Sequence, residues 1–99
     1  MAVGMLMAAP GFTEDNYHEV SEKVFGSRDW DMSKAPAGLI MHSAGPMQGG
    51  FYVYDVWESR EDFERFMNEK LAPAFQDVLG GPPPAEAQPQ YFEIANLVK

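Results

Sequence analysis

Four short apolar runs alternate with two segments of helical periodicity, and this order limits the fold more than any other feature of the chain. The apolar runs span residues 2–9, 38–44, 51–57 and 90–98. The third run is rich in aromatic and β-branched residues and has the strongest strand character. The predicted order is therefore β-α-β-β-α-β. One antiparallel sheet with both helices on one face is the economical arrangement of these elements.

The two predicted helices have recognisable capping residues. Thr13 is a natural N-cap followed by acidic residues, and Gly26 ends the first helix. Ser59 starts the second helix, in which an apolar stripe extends over residues 63–78. Pro73 lies inside this stripe and is predicted to kink or divide the helix. The chain thus predicts an α+β, ferredoxin-like domain over all 99 residues, with strand order 4-1-3-2.

The strands are apolar on both faces, although the helices cover only one. In the third strand, Tyr52 and Tyr54 lie on the opposite face to Trp57. A chain of 99 residues buries only a modest share of its surface by itself. We therefore expect the uncovered face to be buried against a second copy of the chain, giving a homodimer.

Composition excludes several classes of function. The 7 basic and 15 acidic residues give a formal charge of −8, which argues against binding to nucleic acid or to an anionic membrane. Without cysteine there is no thiolate metal site, and two histidines leave little for another kind of metal site, so we predict no cofactor. The apolar run before Pro10 is too short for a signal peptide or a membrane helix, which predicts a cytoplasmic protein.

Two polar strand residues are the main candidates for catalysis. His42 is either a core histidine satisfied by one hydrogen bond or a general base or acid in a pocket. Asp55 is costly to bury alone, so it is either a partnered structural carboxylate at the dimer interface or half of an Asp–His dyad. With residues 45–50 as the turn, His42 lies opposite Val53 or Tyr54. The first register makes Asp55 a diagonal neighbour of His42, and the second makes Tyr54 the neighbour.

Aromatic residues are the second group of candidates. Trp57 either anchors the core or lines a pocket in which its indole N–H donates to a substrate oxygen. Tyr17 either packs with its hydroxyl at a rim or points that hydroxyl into the same pocket. Trp30, in the long loop 26–37, is either a hydrophobic plug or part of a lid. The predicted substrate-binding residues are all aromatic: Tyr17, Trp30, Tyr54, Phe63 and Phe66.

Three features of the chain resemble a known group of proteins. They are the element order, Pro10-Gly11 after the first strand, and Val56-Trp57-Glu58-Ser59 before a helix with Phe63 and Phe66. This group is the antibiotic-biosynthesis-monooxygenase-like family of the dimeric α+β barrels. The resemblance covers essentially the whole chain. It implies a homodimer whose sheets face each other, and a pocket between the sheet and helices of each subunit. Members include cofactor-free oxygenases, haem-degrading enzymes, quinol oxygenases and lactone isomerases, so the fold does not decide the reaction.

Few functional residues of that family have counterparts here. Trp57 matches the third-strand tryptophan of the polyketide oxygenases, whereas an asparagine that assists in some of them is replaced by Val53. The haem-degrading branch needs an asparagine on the first strand, where residues 5–8 offer none. It also needs a tryptophan and a histidine on the second helix, where Phe66 and Gln76 stand instead. Haem degradation is therefore disfavoured.

Two classes of function remain from the sequence. The first is a cofactor-independent, monooxygenase-like enzyme that removes a proton from a lipophilic or aromatic small molecule. His42 would be its base, and the oxyanion donor would be Trp57 or a hydroxyl of Tyr17 or Tyr54. An isomerase or cyclase would use the same groups. The second class is a non-catalytic dimer that binds a small hydrophobic ligand.

Overall fold

Four antiparallel strands form a single sheet in the computed structural model, which describes residues 2–81 and 87–98. The strands are β1 (Val3–Pro10), β2 (Leu39–Met47), β3 (Gly50–Trp57) and β4 (Gln90–Glu93). Their order across the sheet is β2-β3-β1-β4, with every neighbouring pair antiparallel. The predicted fold class and strand order are confirmed.

The helices begin where the capping residues predict. They are α1 (Glu14–Phe25), α2 (Arg60–Phe66) and α3 (Ala72–Leu79), and a short 3-10 turn covers Met32–Lys34. The Thr13 hydroxyl accepts a hydrogen bond from the Asn16 backbone N–H at 3.0 Å, and the Asn16 side chain accepts one from the Thr13 N–H at 3.2 Å. Gly26 closes α1 with φ +77°. This left-handed conformation carries no penalty in glycine.

A π-helical segment, Met67–Leu71, separates α2 from α3. The Ala72 backbone N–H bonds to the carbonyl of Met67, five residues earlier. Pro73 has no N–H with which to continue the α-helical ladder, and a wider turn directly before it accommodates the missing donor. The predicted interruption at Pro73 is therefore a π-turn, and the apolar stripe continues through it.

The β2–β3 hairpin differs from the predicted register. β2 continues to Met47, which pairs with Gly50, so the turn consists of two residues, Gln48 and Gly49. Gly49 has φ +81°, a conformation that glycine adopts without steric cost, whereas Gln48 keeps a negative φ. His42 consequently pairs with Asp55 itself, and neither predicted partner of His42 was right.

Three further features of the strands differ from the sequence reading or add to it. A register shift between Leu39 and Met41 inserts one extra residue in β2, so Leu39 and His42 share the helix-covered face while Met41 lies on the other. Pro46 is accommodated because β2 is an edge strand. β4 ends at Glu93, although the prediction extended it to residue 98.

The core lies between the sheet and the helices. Met5, Trp57 and Phe63 are fully enclosed there. On the opposite, uncovered face of the sheet, Met41 is 37% exposed and Phe92 is 46% exposed. Within the described ranges, no helix has the length and apolarity that crossing a membrane requires.

Substitution of Gly38 tests how closely the loop of residues 26–38 packs against α2. It has φ +92°, and a Cβ there would lie 2.5 Å from the Asp62 side chain, whereas a Cβ on Gly26 would meet nothing within 4 Å. We expect Gly26→Ala to lower the free energy of unfolding by about 1–2 kcal/mol through backbone strain. Gly38→Ala should cost about 1–3 kcal/mol more, because the collision adds to the strain. Urea denaturation measures both variants, and equal losses would contradict the close contact.

Candidate active site

Four side chains from three elements form a continuous hydrogen-bonded chain. The Trp57 indole N–H donates to Oδ2 of Asp55 at 3.2 Å. Nδ1 of His42 lies 2.6 Å from Oδ1 of the same carboxylate, and Nε2 of His42 lies 2.6 Å from the Tyr17 hydroxyl. The chain runs from the buried carboxylate to the phenol and ends at a cavity.

The fold positions each member of this chain separately. Asp55 and Trp57 are two residues apart on β3, so both point to the helix-covered face. The hairpin register places His42 directly opposite Asp55. Tyr17 belongs to α1, and its ring is held 5.3 Å from that of Phe51. Contacts between distant segments of the chain therefore create the site.

A neutral imidazole beside an ionised carboxylate satisfies this hydrogen-bonding pattern. Asp55 is 5% exposed and also accepts a hydrogen bond from the Trp57 N–H. An ionised carboxylate only accepts, so the proton between Asp55 and His42 belongs to Nδ1 of His42. Nε2 then carries the lone pair and accepts the Tyr17 hydroxyl proton. This Asp–His–hydroxyl order is the order used by hydrolases to activate a hydroxyl group.

A cavity of about 90 Å³ lies beside this chain, between the sheet and the helices. It has room for more than one water molecule or for part of a small ligand. Its walls are mostly apolar and aromatic, and the groups in them that carry chemistry are those of Tyr17, Ser21, His42 and Asp55. Such a mostly apolar cleft with a few convergent polar groups is typical of a small-molecule site.

Trp30 covers the site from loop 26–38. Its ring stacks on Phe25 with centroids 4.2 Å apart and lies 4.7 Å from the ring of His42. Trp30 is half-buried and lines the cavity. This placement fits both predicted roles of Trp30, as a plug and as part of a lid.

The environment of Tyr17 favours its neutral form. Burial raises the pKa of the Tyr17 phenol above its ordinary value of 10.0, and the nearby Asp55 charge acts in the same direction. The side chains of Trp30 and Ser21 lie within reach of the phenol and oppose this rise in pKa. Tyr17 therefore holds its proton at neutral pH and presents it to His42.

The structure brings most of the predicted site residues together. The cavity walls include the following: Tyr17, Trp30, His42, Asp55, Trp57, Phe63 and Phe66. Tyr54 is different, because it lies on the uncovered face, where its ring packs over Gly4. The expectation that Tyr54 binds substrate in this pocket is corrected by the alternation of β3. The indole N–H of Trp57 is also committed to Asp55, so it does not reach a substrate oxygen.

Sequence reasoning missed one residue of this site. Ser21 is 3% exposed and lines the cavity one helical turn after Tyr17. The spacing i,i+4 from Tyr17 was a usable signal, since such residues share one face of a helix.

Comparison with known proteins identifies the fold. Neither a protein-family model nor a curated protein matches the sequence. Solved structures do match, including the cofactor-independent oxygenase SnoaB from Streptomyces nogalater, at 9% identity and a TM-score of 0.60 over 98% of this chain and 95% of that one. A protein from Nitrosomonas europaea assigned as an antibiotic biosynthesis monooxygenase matches at 11% identity and a TM-score of 0.63, over 97% and 100%.

A haem-degrading protein from Mycobacterium tuberculosis also matches, at 18% identity and a TM-score of 0.59 over the full length of both chains. The predicted resemblance to antibiotic-biosynthesis-monooxygenase-like proteins is thus confirmed at the level of the fold. At these identities the likeness extends no further than the fold.

The cavity residues do not fit a haem. His42 is the imidazole in the cavity wall, and both of its ring nitrogens are already hydrogen-bonded. Residues 60–79, which form α2, the π-turn and α3, contain no histidine. In the described part of the chain, no group of three or more acidic or histidine side chains is placed to hold a metal ion.

Replacing His42 tests whether it is held by buried partners. His42→Ala leaves Asp55 and Tyr17 without their shared partner, which should lower the free energy of unfolding by about 1–3 kcal/mol. His18 is the matched control, because its bond to Glu14 is a long surface contact of 3.4 Å. His18→Ala should change the stability by no more than about 0.5 kcal/mol. Thermal denaturation compares the two, and equal melting temperatures would argue against the buried chain.

Proposed function

We propose that this protein is a cofactor-independent, monooxygenase-like enzyme that removes a proton from a lipophilic or aromatic small molecule. The observation that carries the proposal is the hydrogen-bonded chain of Asp55, His42 and Tyr17 at the wall of an apolar cavity. The fold shared with the cofactor-independent oxygenase from Streptomyces nogalater supports this class of reaction.

The reaction begins with proton loss from the substrate. The proton ends on Nε2 of His42, and the Asp55 carboxylate at 2.6 Å stabilises the imidazolium that forms. For a substrate with an activated methylene group, such as an anthrone, this step leaves a carbanion. The carbanion gives electrons to O₂, the methylene becomes a carbonyl, and the second oxygen atom leaves as water.

The apolar walls assist this chemistry. Few polar groups surround the reacting atoms, so the Asp55–His42 interaction is not weakened by bulk water. A dry pocket also protects the carbanion from being reprotonated by solvent before it meets O₂. Phe63 and Phe66 supply part of this wall and would contact the rings of an aromatic substrate.

Oxygen uptake is the direct test. Anthrones and hydroquinones are offered to the protein without added metal or flavin, and O₂ consumption is recorded with an electrode. We expect uptake above background, and a fall of about 100-fold or more in both His42→Gln and Asp55→Asn, because each variant removes a part of the base. His18→Gln, which changes the histidine outside the cavity, should retain the parent rate.

Other outcomes separate the alternatives. Substrate deuteration in D₂O without O₂ uptake would indicate an isomerase or a cyclase that uses the same base. Absence of both O₂ uptake and deuteration with every substrate would contradict the proposal that the protein is an enzyme. Binding without turnover would then identify a ligand-binding protein.

The proposal includes a homodimer formed through the uncovered sheet face. Leu6, Val56, Met41 and Phe92 supply apolar side chains to this face. Met41 and Phe92 remain substantially exposed in the single chain. Burying such a face against a second copy removes apolar surface from water and extends the core.

A charge placed on this face should separate the subunits. We expect light scattering to give the parent protein twice the chain mass of 11.0 kDa. Met41→Glu should give the mass of one chain, because the interface would have to bury an unpaired carboxylate. Met32→Glu is the matched control, since Met32 is 53% exposed but lies on the 3-10 turn away from this face. A parent of one chain mass, or a dimeric Met41→Glu, would contradict the interface.

A further inference from the structure

Tyr17 is the last member of the hydrogen-bonded chain, and this position suggests a role beyond packing. We propose that Tyr17 is the catalytic acid–base group that meets the substrate, and that His42 receives the proton through it. This inference rests on the proposed proton abstraction and specifies its route. The expected arrangement, in which the His42 imidazole itself faces the substrate, is replaced by a tyrosine relay.

Both ring nitrogens of His42, the atoms that could take a proton from a ligand, already have hydrogen-bond partners. Nδ1 is bound to Asp55 and Nε2 to the Tyr17 hydroxyl, both at 2.6 Å. Trp30 lies against the imidazole, with ring centroids 4.7 Å apart. A substrate in the cavity therefore finds the phenol of Tyr17 between itself and the basic nitrogen.

The geometry of the Tyr17–His42 contact suits proton transfer. The two rings are nearly parallel, with 9° between their planes, and the hydroxyl oxygen lies 2.6 Å from Nε2, which is within hydrogen-bonding distance for proton transfer. The Tyr17 ring packs against Phe51, with ring centroids 5.3 Å apart. This contact on the sheet side holds the phenol beside His42 and reduces the cost of ordering it for proton transfer.

The relay balances in protons and charge. As the substrate C–H or O–H bond breaks, its proton bonds to the Tyr17 oxygen, and the original hydroxyl proton passes to Nε2 of His42. The electron pair stays on the substrate. Tyr17 ends neutral, His42 becomes an imidazolium beside the Asp55 carboxylate, and the substrate becomes an anion. The reverse transfer returns the proton to the product or to the oxygen that leaves as water.

The charged and titratable neighbours permit this transfer. Asp55 on β3 favours the imidazolium, and His18 on α1 lies outside the cavity beside the Tyr17 ring. Among the described residues that line the cavity, none is a lysine or an arginine that would compete for the carboxylate. Ser21 and Trp30 lie near the phenol oxygen and can donate to it while it is transiently negative.

Removal of the Tyr17 hydroxyl separates the relay from a direct imidazole base. Tyr17→Phe keeps the ring but breaks the path, so we expect kcat for the best substrate to fall about 100-fold or more, with KM within about threefold of the parent. If His42 met the substrate directly, Tyr17→Phe would free Nε2, and the rate would be unchanged or higher. Tyr52→Phe, on the opposite sheet face, controls for loss of a tyrosine hydroxyl.

A pH profile adds a measurement that a packing role would not change. Site-specific replacement of Tyr17 by 3,5-difluorotyrosine keeps its shape and lowers the pKa of its phenol. We expect the alkaline side of the rate profile to move to lower pH, and an unchanged profile would overturn the relay. A parent that shows neither turnover nor exchange overturns the proposed function as well. An active parent with an equally active Tyr17→Phe overturns the relay alone.

Discussion

The burial of one carboxylate governs the arrangement of the site. Asp55 lies on the covered face of β3 with almost no access to water. A charge in that position is tolerated only if both oxygens have partners, and Trp57 and His42 supply them. The requirement in turn selects the tautomer of His42 and directs its free nitrogen at Tyr17. The burial of Asp55 therefore accounts both for the hydrogen bonds that the carboxylate makes in the core and for the orientation of His42 toward Tyr17 at the cavity.

Much of the fold follows from local patterns. The caps at Thr13 and Ser59, the strand composition of residues 51–57 and the apolar character of both sheet faces predict the elements and their order. The break before Pro73 is also predictable, although its π-helical form is not. That form depends on how α3 must face the sheet, which local propensity does not encode.

The site was only partly predictable because it depends on register. Reading residues 45–50 as one turn misplaces His42 relative to Asp55, because the chain in fact turns at Gln48 and Gly49 alone and a shift of register moves every side chain of the strand. The side-chain alternation that places Asp55 with Trp57 also removes Tyr54 from the pocket. The contact of Tyr17 with His42 needs the packing of α1 on the sheet, and no sequence spacing reports it.

The π-turn before Pro73 has a consequence for how this helix tolerates length changes. A π-turn is equivalent to one residue inserted into an α-helix, and each residue rotates the helix by about 100°. Removing one residue from Met67–Leu71 would therefore leave a regular α-helix in which α3 keeps its orientation toward the sheet, and Ala74 and Phe75 would stay in the core. A deletion elsewhere in α2 or α3 has no wider turn to absorb it, and would rotate the residues that follow by about 100°.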